Sequence, residues 1–248
     1  MKGKLFSVLA GTILSLTALP WVTPDAKVAA EPRTEAAAVA EPARPATTAA
    51  AALGAAVRPA GGVAPDVLEL ALTAVRCAVN SGDLQAPKTL TLIDYSKPST
   101  EPRLWVFDMA TGDVLFRELV AHGKNTGDNM ATQFSDTLNS RQSSIGLFRT
   151  DNTYVGSNGY SLRLDGLEPG FNSHARERAI VMHGAPYVSA EFARAQGRIG
   201  RSWGCPALRE AIARDVINTI RGGDVVFSYY PDEQWLTTSR FLNCGSAA

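Results

Sequence analysis

From Leu90 to Tyr229 the chain keeps starting short apolar runs and breaking them with glycine, asparagine or aspartate before they reach helical length. The runs are Leu90–Asp94, Leu104–Met109, Val114–Ala121, Ser144–Phe148, Tyr160–Leu164, Arg178–His183 and Asp224–Tyr229. Ala110-Thr111-Gly112-Asp113, between the second and third, has the composition of a hairpin turn. Runs of this length separated by turn residues are strands, and so many of them with so few helices predict a mainly β fold, a compact β-sandwich or barrel-like domain.

Helical periodicity is confined to two places. Val67, Leu68, Leu70, Ala71, Ala74, Val75 and Ala78 recur at helical spacing up to Asn80-Ser81-Gly82, which predicts an added N-terminal amphipathic helix. Leu208, Ala211, Ile212, Val216, Ile217 and Ile220 do the same before Gly222-Gly223.

The N-terminal part has another texture. Lys2 and Lys4 precede an apolar run from Leu5 to Val22, and Val28-Ala29-Ala30 offers small residues to a signal peptidase. Residues 1–30 are therefore expected to be a secretory signal peptide, with an uncleaved membrane anchor as the alternative. Residues 31–63 are rich in alanine, proline, glutamate and threonine, too poor in large apolar side chains to offset chain entropy, and are expected to form a disordered tether. Pro32, Pro42, Pro45 and Pro59 oppose the other reading, an alanine-rich helix. Residues 64–248 remain as the folded domain, with the N-terminal helix at its start and a C-terminal tail.

Composition narrows the function. The 248 residues carry a formal net charge of +0, against the basic excess of a general nucleic-acid binder, and the apolar fraction of 45% suffices for a real core. No HExxH and no paired-cysteine spacing is present, so no metal site is expected.

The second helix has an informative start, Arg201-Ser202-Trp203-Gly204-Cys205-Pro206-Ala207-Leu208. Pro206 suits the first position of a helix, which would put Cys205 at the helix N-terminus, where free N–H groups and the dipole favour a thiolate. Gly204 lets a substrate approach the backbone, and the N–H groups of Gly204 and Cys205 are candidates for an oxyanion hole. The bland alternative is a buried structural cysteine. His183 supplies the other half: it ends the run Ala179-Ile180-Val181-Met182 and is followed by Gly184, at a strand end running into a loop, where catalytic side chains are often carried. His122, at another strand end before a glycine- and asparagine-rich loop, is a candidate to line the cleft, against a structural role in that loop. His174, in Asn172-Ser173-His174-Ala175-Arg176, faces either substrate or solvent.

His183-Gly184 followed by Ser202-Trp203-Gly204-Cys205 resembles the His-Gly and Ser-x-Gly-Cys signature of the L,D-transpeptidases, whose catalytic domain is called YkuD-like. Ala121-His122-Gly123-Lys124, Gly127-Asp128-Asn129, Gln142-Ser143-Ser144-Ile145-Gly146, and Tyr160-Ser161-Leu162 with Gly166-Leu167-Glu168 extend the resemblance over about residues 88 to 230. The resemblance implies an enzyme that acts on peptidoglycan stem peptides, donor and acceptor, without cofactor. Cys205 would attack the carbonyl of the third residue of a stem peptide, expel the terminal D-alanine and form a thioester. The side-chain amine of a second stem peptide would then resolve it into a crosslink. His183 would be the base, Ser202 would shape the loop, and Gly184, Trp203, His122 and Arg201 would contact substrate. The enzyme would be a monomer, exported across the inner membrane to the periplasm or cell wall, with no integral membrane segment after signal cleavage.

Two positions depart from the family pattern. Ala207 stands where many members have arginine, and Trp203 where many have histidine; Arg198, Arg201 and Arg209 are the available substitutes for the lost cation. Hydrolysis of the same thioester, giving a carboxypeptidase or a crosslink-cleaving enzyme, is a second enzymatic reading, and a wall-binding module without catalysis is a third.

In an oxidising compartment one cysteine must stay reduced to react, which leaves Cys77 and Cys244 as an expected disulfide. On the chain-entropy model a bridge closing so long a loop would contribute about 4–5 kcal/mol. The alternative is a buried free Cys77 and a frayed Cys244.

Overall fold

A computed structural model describes residues 52–245. The chain divides into two units, Met1–Pro42 and Ala43–Ala248, and every described residue belongs to the second. The expected signal peptide lies outside the described residues, as does the expected tether up to Ala51.

Eight strands form one sheet: β1 Thr89–Asp94, β2 Leu104–Asp108, β3 Val114–Glu118, β4 Gly146–Gly156, β5 Gly159–Gly166, β6 Val181–Gly184, β7 Ala207–Leu208 and β8 Val225–Tyr229. Their order is β3-β2-β1-β8-β4-β5-β6-β7. Neighbours are antiparallel except β1 with β8 and β6 with β7. The two ends of the sheet also meet. Ala121, just beyond β3, bridges Ala207 of β7, and Gly123 bridges Ser202. The sheet is thereby a nearly closed, barrel-like structure, as the run of short strands predicts.

The central strands are covered on both faces. All of β1 and β8 is buried. Leu90 and Leu92 of β1 and Val225 and Phe227 of β8 face one core, whereas Ile93 and Val226 face the other. Successive strand side chains point to opposite faces, and with both faces covered even Thr89, Thr91, Asp94 and Ser228 are buried.

Helices cover the sheet. The first, α1 (Pro65–Asn80), starts with proline in its first turn and buries Val67, Leu68, Ala71, Leu72, Ala74, Val75, Cys77 and Ala78 in the first core. A short α2 (Ala190–Gln196) is capped by the Ser189 hydroxyl, which accepts the Phe192 N–H, and ends at left-handed Gly197. The third, α3 (Glu210–Ile220), buries Ala213, Val216, Ile217 and Ile220 in the second core. The last, α4 (Glu233–Thr238), is capped by Asp232 and buries Trp235. Glu168 is the polar hub of that corner: its carboxylate accepts from the Leu147 N–H at 2.7 Å, the Trp235 indole at 2.9 Å and the Ser239 hydroxyl at 2.5 Å.

Three features differ from the sequence reading. Strand β4 runs on to Gly156 and forms a hairpin with β5. Arg149, Asp151 and Asn152 read as loop residues, but they occupy the less buried half of a strand whose partner supplies the ladder. Residues 52–63, expected in the tether, pack on the domain: Val57 and Val63 lie in the first core, and the Gly61 carbonyl accepts the Trp105 indole N–H at 3.1 Å. Two valines and one acceptor at the right places anchor a segment whose average composition looks disordered.

His122 is the third difference. It does not line a cleft; only 1% of it is exposed. Its Nδ1 accepts from the Arg103 guanidinium at 2.7 Å, which leaves the proton on Nε2, facing the Gly127 carbonyl at 3.3 Å. Arg103, also fully buried, donates to the carbonyls of Val120 and Lys97 and stacks over Tyr95. A histidine between a buried arginine and a carbonyl can only be neutral. Burial first, and the Arg103 charge second, push its pKa down to about 4.

A disulfide joins Cys77 in α1 to Cys244 beyond α4, with 6.0 Å between their Cα atoms and 167 residues of separation. Cys205 is a free cysteine.

Two tests follow from this packing. Thiol titration of denatured, unreduced protein should find one free thiol, mapped to Cys205, and reduction should lower stability by about 2–4 kcal/mol in urea unfolding. Three free thiols would refute the bridge. Second, an unfolded histidine titrates near 6.5, whereas folded His122 does so only near 4. In that window the unfolded chain binds the extra proton, so stability must fall as pH drops from 6.5 towards 4. His122→Gln, which keeps an acceptor and a donor but cannot titrate, should give a shallower fall in melting temperature across this range. Equal slopes in both proteins would contradict the buried neutral histidine.

Candidate active site

The site is built where β6 and β7 lie side by side. His183 of β6 is paired in register with Ala207, and Gly184 with Leu208. Cys205 is two residues before Ala207, so this short parallel ladder brings the two motifs to one place. His183 and Cys205 open onto a cavity of about 420 Å³, whose other walls include Tyr187, Arg201, Ser202, Trp203 and the Ser157-Asn158 turn of the β4–β5 hairpin.

Cys205 is not at a helix N-terminus. Cys205 and Pro206 belong to no helix, Ala207 and Leu208 form β7, and α3 begins only at Glu210. Proline after cysteine suits a helix start, but here pairing wins. The Ala207 carbonyl accepts from Ala121 N–H at 2.8 Å and the Leu208 carbonyl from Ala185 N–H at 2.9 Å. A helix over these residues would forfeit both bonds and reopen the closure of the sheet.

One of the two N–H groups expected for an oxyanion hole is already engaged. The Gly204 N–H is engaged by the Ser202 hydroxyl at 3.0 Å, and that hydroxyl donates to the Cys205 carbonyl at 2.6 Å. Ser202 thus pins the turn Ser202-Trp203-Gly204-Cys205 from inside. Its backbone is fixed as well: its N–H donates to the His122 carbonyl at 2.9 Å and its carbonyl accepts from Lys124 N–H at 2.8 Å. The buried His122 therefore acts on the site only through its carbonyl. Gly204 has φ +123, and a Cβ there would fall 2.7 Å from the Gln142 carbonyl oxygen, so the turn admits glycine alone.

The Cys205 thiol faces the Ala179 carbonyl at 3.7 Å. Burial raises its pKa; the Val181 N–H, the Arg178 charge and the residue's own N–H act in the opposite direction. His183 is buried too, and this lowers its pKa, with the Gly184 carbonyl opposing. Its Nδ1 lies 2.8 Å from that carbonyl, which can only accept, so the Nδ1 carries the proton and Nε2 keeps its lone pair. Gly184 thus contributes a carbonyl that fixes the tautomer. Both thiol and imidazole rest in their neutral forms at neutral pH.

Trp203 is 71% exposed, with the Arg141 guanidinium over its ring at 4.8 Å. It borders the Cys205 cavity and also a second cleft of about 470 Å³ lined by Asn125, Asn139, Arg141, Glu177 and Arg178. Arg201 sits at the rim of the first cavity and is tied to Asp128 at 2.8 Å and the Gly127 carbonyl at 2.8 Å. Arg209 makes a two-pronged pair with Glu118 at 2.7 and 2.8 Å, and Arg198 stands 3.7 Å from Asp128. His174 pairs with Asp136 at 2.9 Å and does not line the cavity. Ala207 is fully buried among Ala121, Ala185, Val188 and Ile199. Its small size suits the strand closure.

The sequence reading missed Tyr187, the Ser157-Asn158 turn and Arg178. Only Arg178 left a signal, a cation placed directly before the apolar run that leads to His183. Among the described residues no cluster of three metal-ligating side chains occurs, and no helix is long and apolar enough to cross a membrane.

Comparison with known proteins bears on this architecture. Residues 60–229 match the family model of the L,D-transpeptidase catalytic domain. No curated protein sequence matches the chain. Solved structures similar to it include an L,D-transpeptidase from Mycobacterium smegmatis, at 15% identity and TM-score 0.37, over 58% of this chain and 59% of that one. One from Mycobacterium tuberculosis H37Rv is 16% identical with TM-score 0.35, again over 58% and 59%. Another, from Stackebrandtia nassauensis, is 15% identical with TM-score 0.34, over 66% and 68%. The match thus spans less than two thirds of the length of the two mycobacterial chains. With the family model covering well over half of its residues, the chain belongs to the L,D-transpeptidase catalytic domain family.

Proposed function

We propose that the chain is a peptidoglycan L,D-transpeptidase that works through a cysteinyl thioester, with Cys205 as nucleophile and His183 as general base. The observation that carries this reading is the pairing of a free cysteine and a tautomer-fixed histidine on one cavity: the Gly184 carbonyl holds the Nδ1 proton and leaves Nε2 to accept another.

Resting neutrality of both groups dictates the order of events. The thiol does not wait as an ion pair; its proton passes to His183 Nε2 as the sulfur attacks the donor carbonyl. The tetrahedral adduct collapses, the C–N bond to the terminal D-alanine breaks, and His183 returns the proton to the departing amine. The acceptor amine then attacks the thioester, gives up a proton to His183, and the thiolate leaves and is reprotonated. The broken peptide bond supplies the energy, so neither cofactor nor nucleotide is required. Trp203, Arg201 and Tyr187 form the walls against which donor and acceptor peptides lie. The enzyme functions in the periplasm or cell wall, where such substrates are found.

Cys205→Ser should abolish crosslinking of purified muropeptides, and His183→Ala should lower the rate by about 10²–10⁴-fold with the fold intact. Dimeric stem peptides are the expected product of the native protein. Trimmed monomers alone would favour hydrolysis, and crosslinking by Cys205→Ser would refute the nucleophile. Because burial lowers the His183 pKa below 6.5, the neutral base persists below that pH. The acid limb of kcat/KM should therefore bend below pH 6.5, and a limb bending above 7 would contradict the geometry. Incubation with a carbapenem should add one acyl group at Cys205 by intact mass, and an adduct mapped to another residue would count against the site.

A further inference from the structure

Cys205 has no helix dipole to favour its thiolate, so any standing positive charge must come from side chains. The titratable groups facing the thiol are few. Tyr95, just beyond β1, and Tyr187 are both pushed up to about 12 by burial and stay neutral. His183 rests neutral. Arg201 at the cavity rim is neutralised by Asp128 at 2.8 Å. Arg178 is left.

Its position is unusual for a cation. The side chain is 3% exposed and makes four hydrogen bonds, all to uncharged acceptors: the Ser135 carbonyl at 2.6 Å, the Ser144 hydroxyl at 2.5 Å, the Ser140 hydroxyl at 3.0 Å and the Gln142 carbonyl at 2.6 Å. The Asp136 carboxylate stands off at 4.0 Å and is itself engaged by the Ser173 hydroxyl and by the His174 N–H and imidazole. A buried cation without a carboxylate in contact is costly to maintain, and a nearby anion relieves that cost.

Two short paths connect it to the nucleophile. The next residue, Ala179, has φ 53 and offers its carbonyl to the thiol at 3.7 Å. The Gln142 carbonyl, gripped by Arg178, is the atom that crowds the Cβ position of Gly204, the residue before Cys205. Four bonds to the 135–144 loop are more than a surface arginine makes, and one of them holds the carbonyl against which Gly204 packs.

We propose that Arg178 is a positioning residue for Cys205: its buried guanidinium clamps the 135–144 loop against Gly204 and presents a positive charge to the sulfur as it becomes a thiolate. This rests on Cys205 being the nucleophile. The charge draws the thiol's pKa down against burial, and a developing thiolate would in turn stabilise the guanidinium.

The test is the pH profile of Cys205 alkylation by iodoacetamide, read by intact mass, on folded variants of the full chain. Arg178→Gln should raise the apparent thiol pKa by about one unit, slowing alkylation about tenfold at pH 7 while keeping the rate plateau at high pH. Arg178→Lys, which keeps the charge but not the four bonds, should stay within about threefold of the native rate at pH 7. Asp136→Asn should alkylate faster at pH 7, because it removes the opposing charge. An unchanged profile in Arg178→Gln overturns the proposal. So does a shift in Arg178→Lys as large as that in Arg178→Gln, which would mark a purely structural role. If Arg178→Gln does not fold, a native or slower rate in Asp136→Asn overturns it alone. The nucleophile assignment fails separately, by crosslinking in Cys205→Ser, so the two failures are distinguishable.

Discussion

Two residues of backbone, Ala207 and Leu208, hold the molecule's functional geometry together. On one side they pair with His183 and Gly184, and on the other Ala207 bridges Ala121. The same few hydrogen bonds close the sheet, fix the histidine strand, and keep the residues before them out of a helix. Everything at the site hangs from this ladder: the Ser202 turn, the fully buried Ala207 where an arginine would have to find solvent, and the delayed start of α3. A strand this short would be marginal alone. It persists because it is pinned from both sides inside a cluster of small apolar residues.

The electrostatics of the site follow from burial as much as from charge. Cysteine, histidine and both neighbouring tyrosines are shifted towards their uncharged forms, so the resting site holds protons rather than ions. On the proposed function, such a site would release the thiol proton only as the sulfur meets a substrate carbonyl, with the histidine as acceptor. The histidine tautomer is fixed by its own strand through the Gly184 carbonyl, a backbone atom that stands where a third side chain would otherwise be needed.

Much of this was readable from the residues. The strands were legible as short runs between turn residues, and the His-Gly and Ser-x-Gly-Cys motifs marked two segments that the fold brings to one cavity. Local signals failed wherever a distant partner decides. Pro206 has a strong helix-start preference, but the ladder to β6 and the Ala121 bridge override it. Gly204 looked like an oxyanion donor, yet a hydroxyl two residues earlier takes its N–H. His122 and Arg103 lie well apart in sequence and meet only in the closed barrel, so nothing local marks the histidine as buried and neutral. Arg178 opens the run that leads to His183, but its acceptors come from a loop about forty residues upstream. Segment 52–63 illustrates the reverse case, where two valines outweigh average composition.

The disulfide between Cys77 and Cys244 also has a mechanical meaning. Tension applied between the two chain termini passes from α1 directly across the sulfur bridge to the segment after α4, so the barrel between them hangs slack from the load path. With 167 residues bypassed, about 550 Å of contour length cannot be drawn out while the bridge is intact. Force entering at α1 and leaving beyond α4 would therefore bypass the strands that carry His183 and Cys205, and with them the cavity.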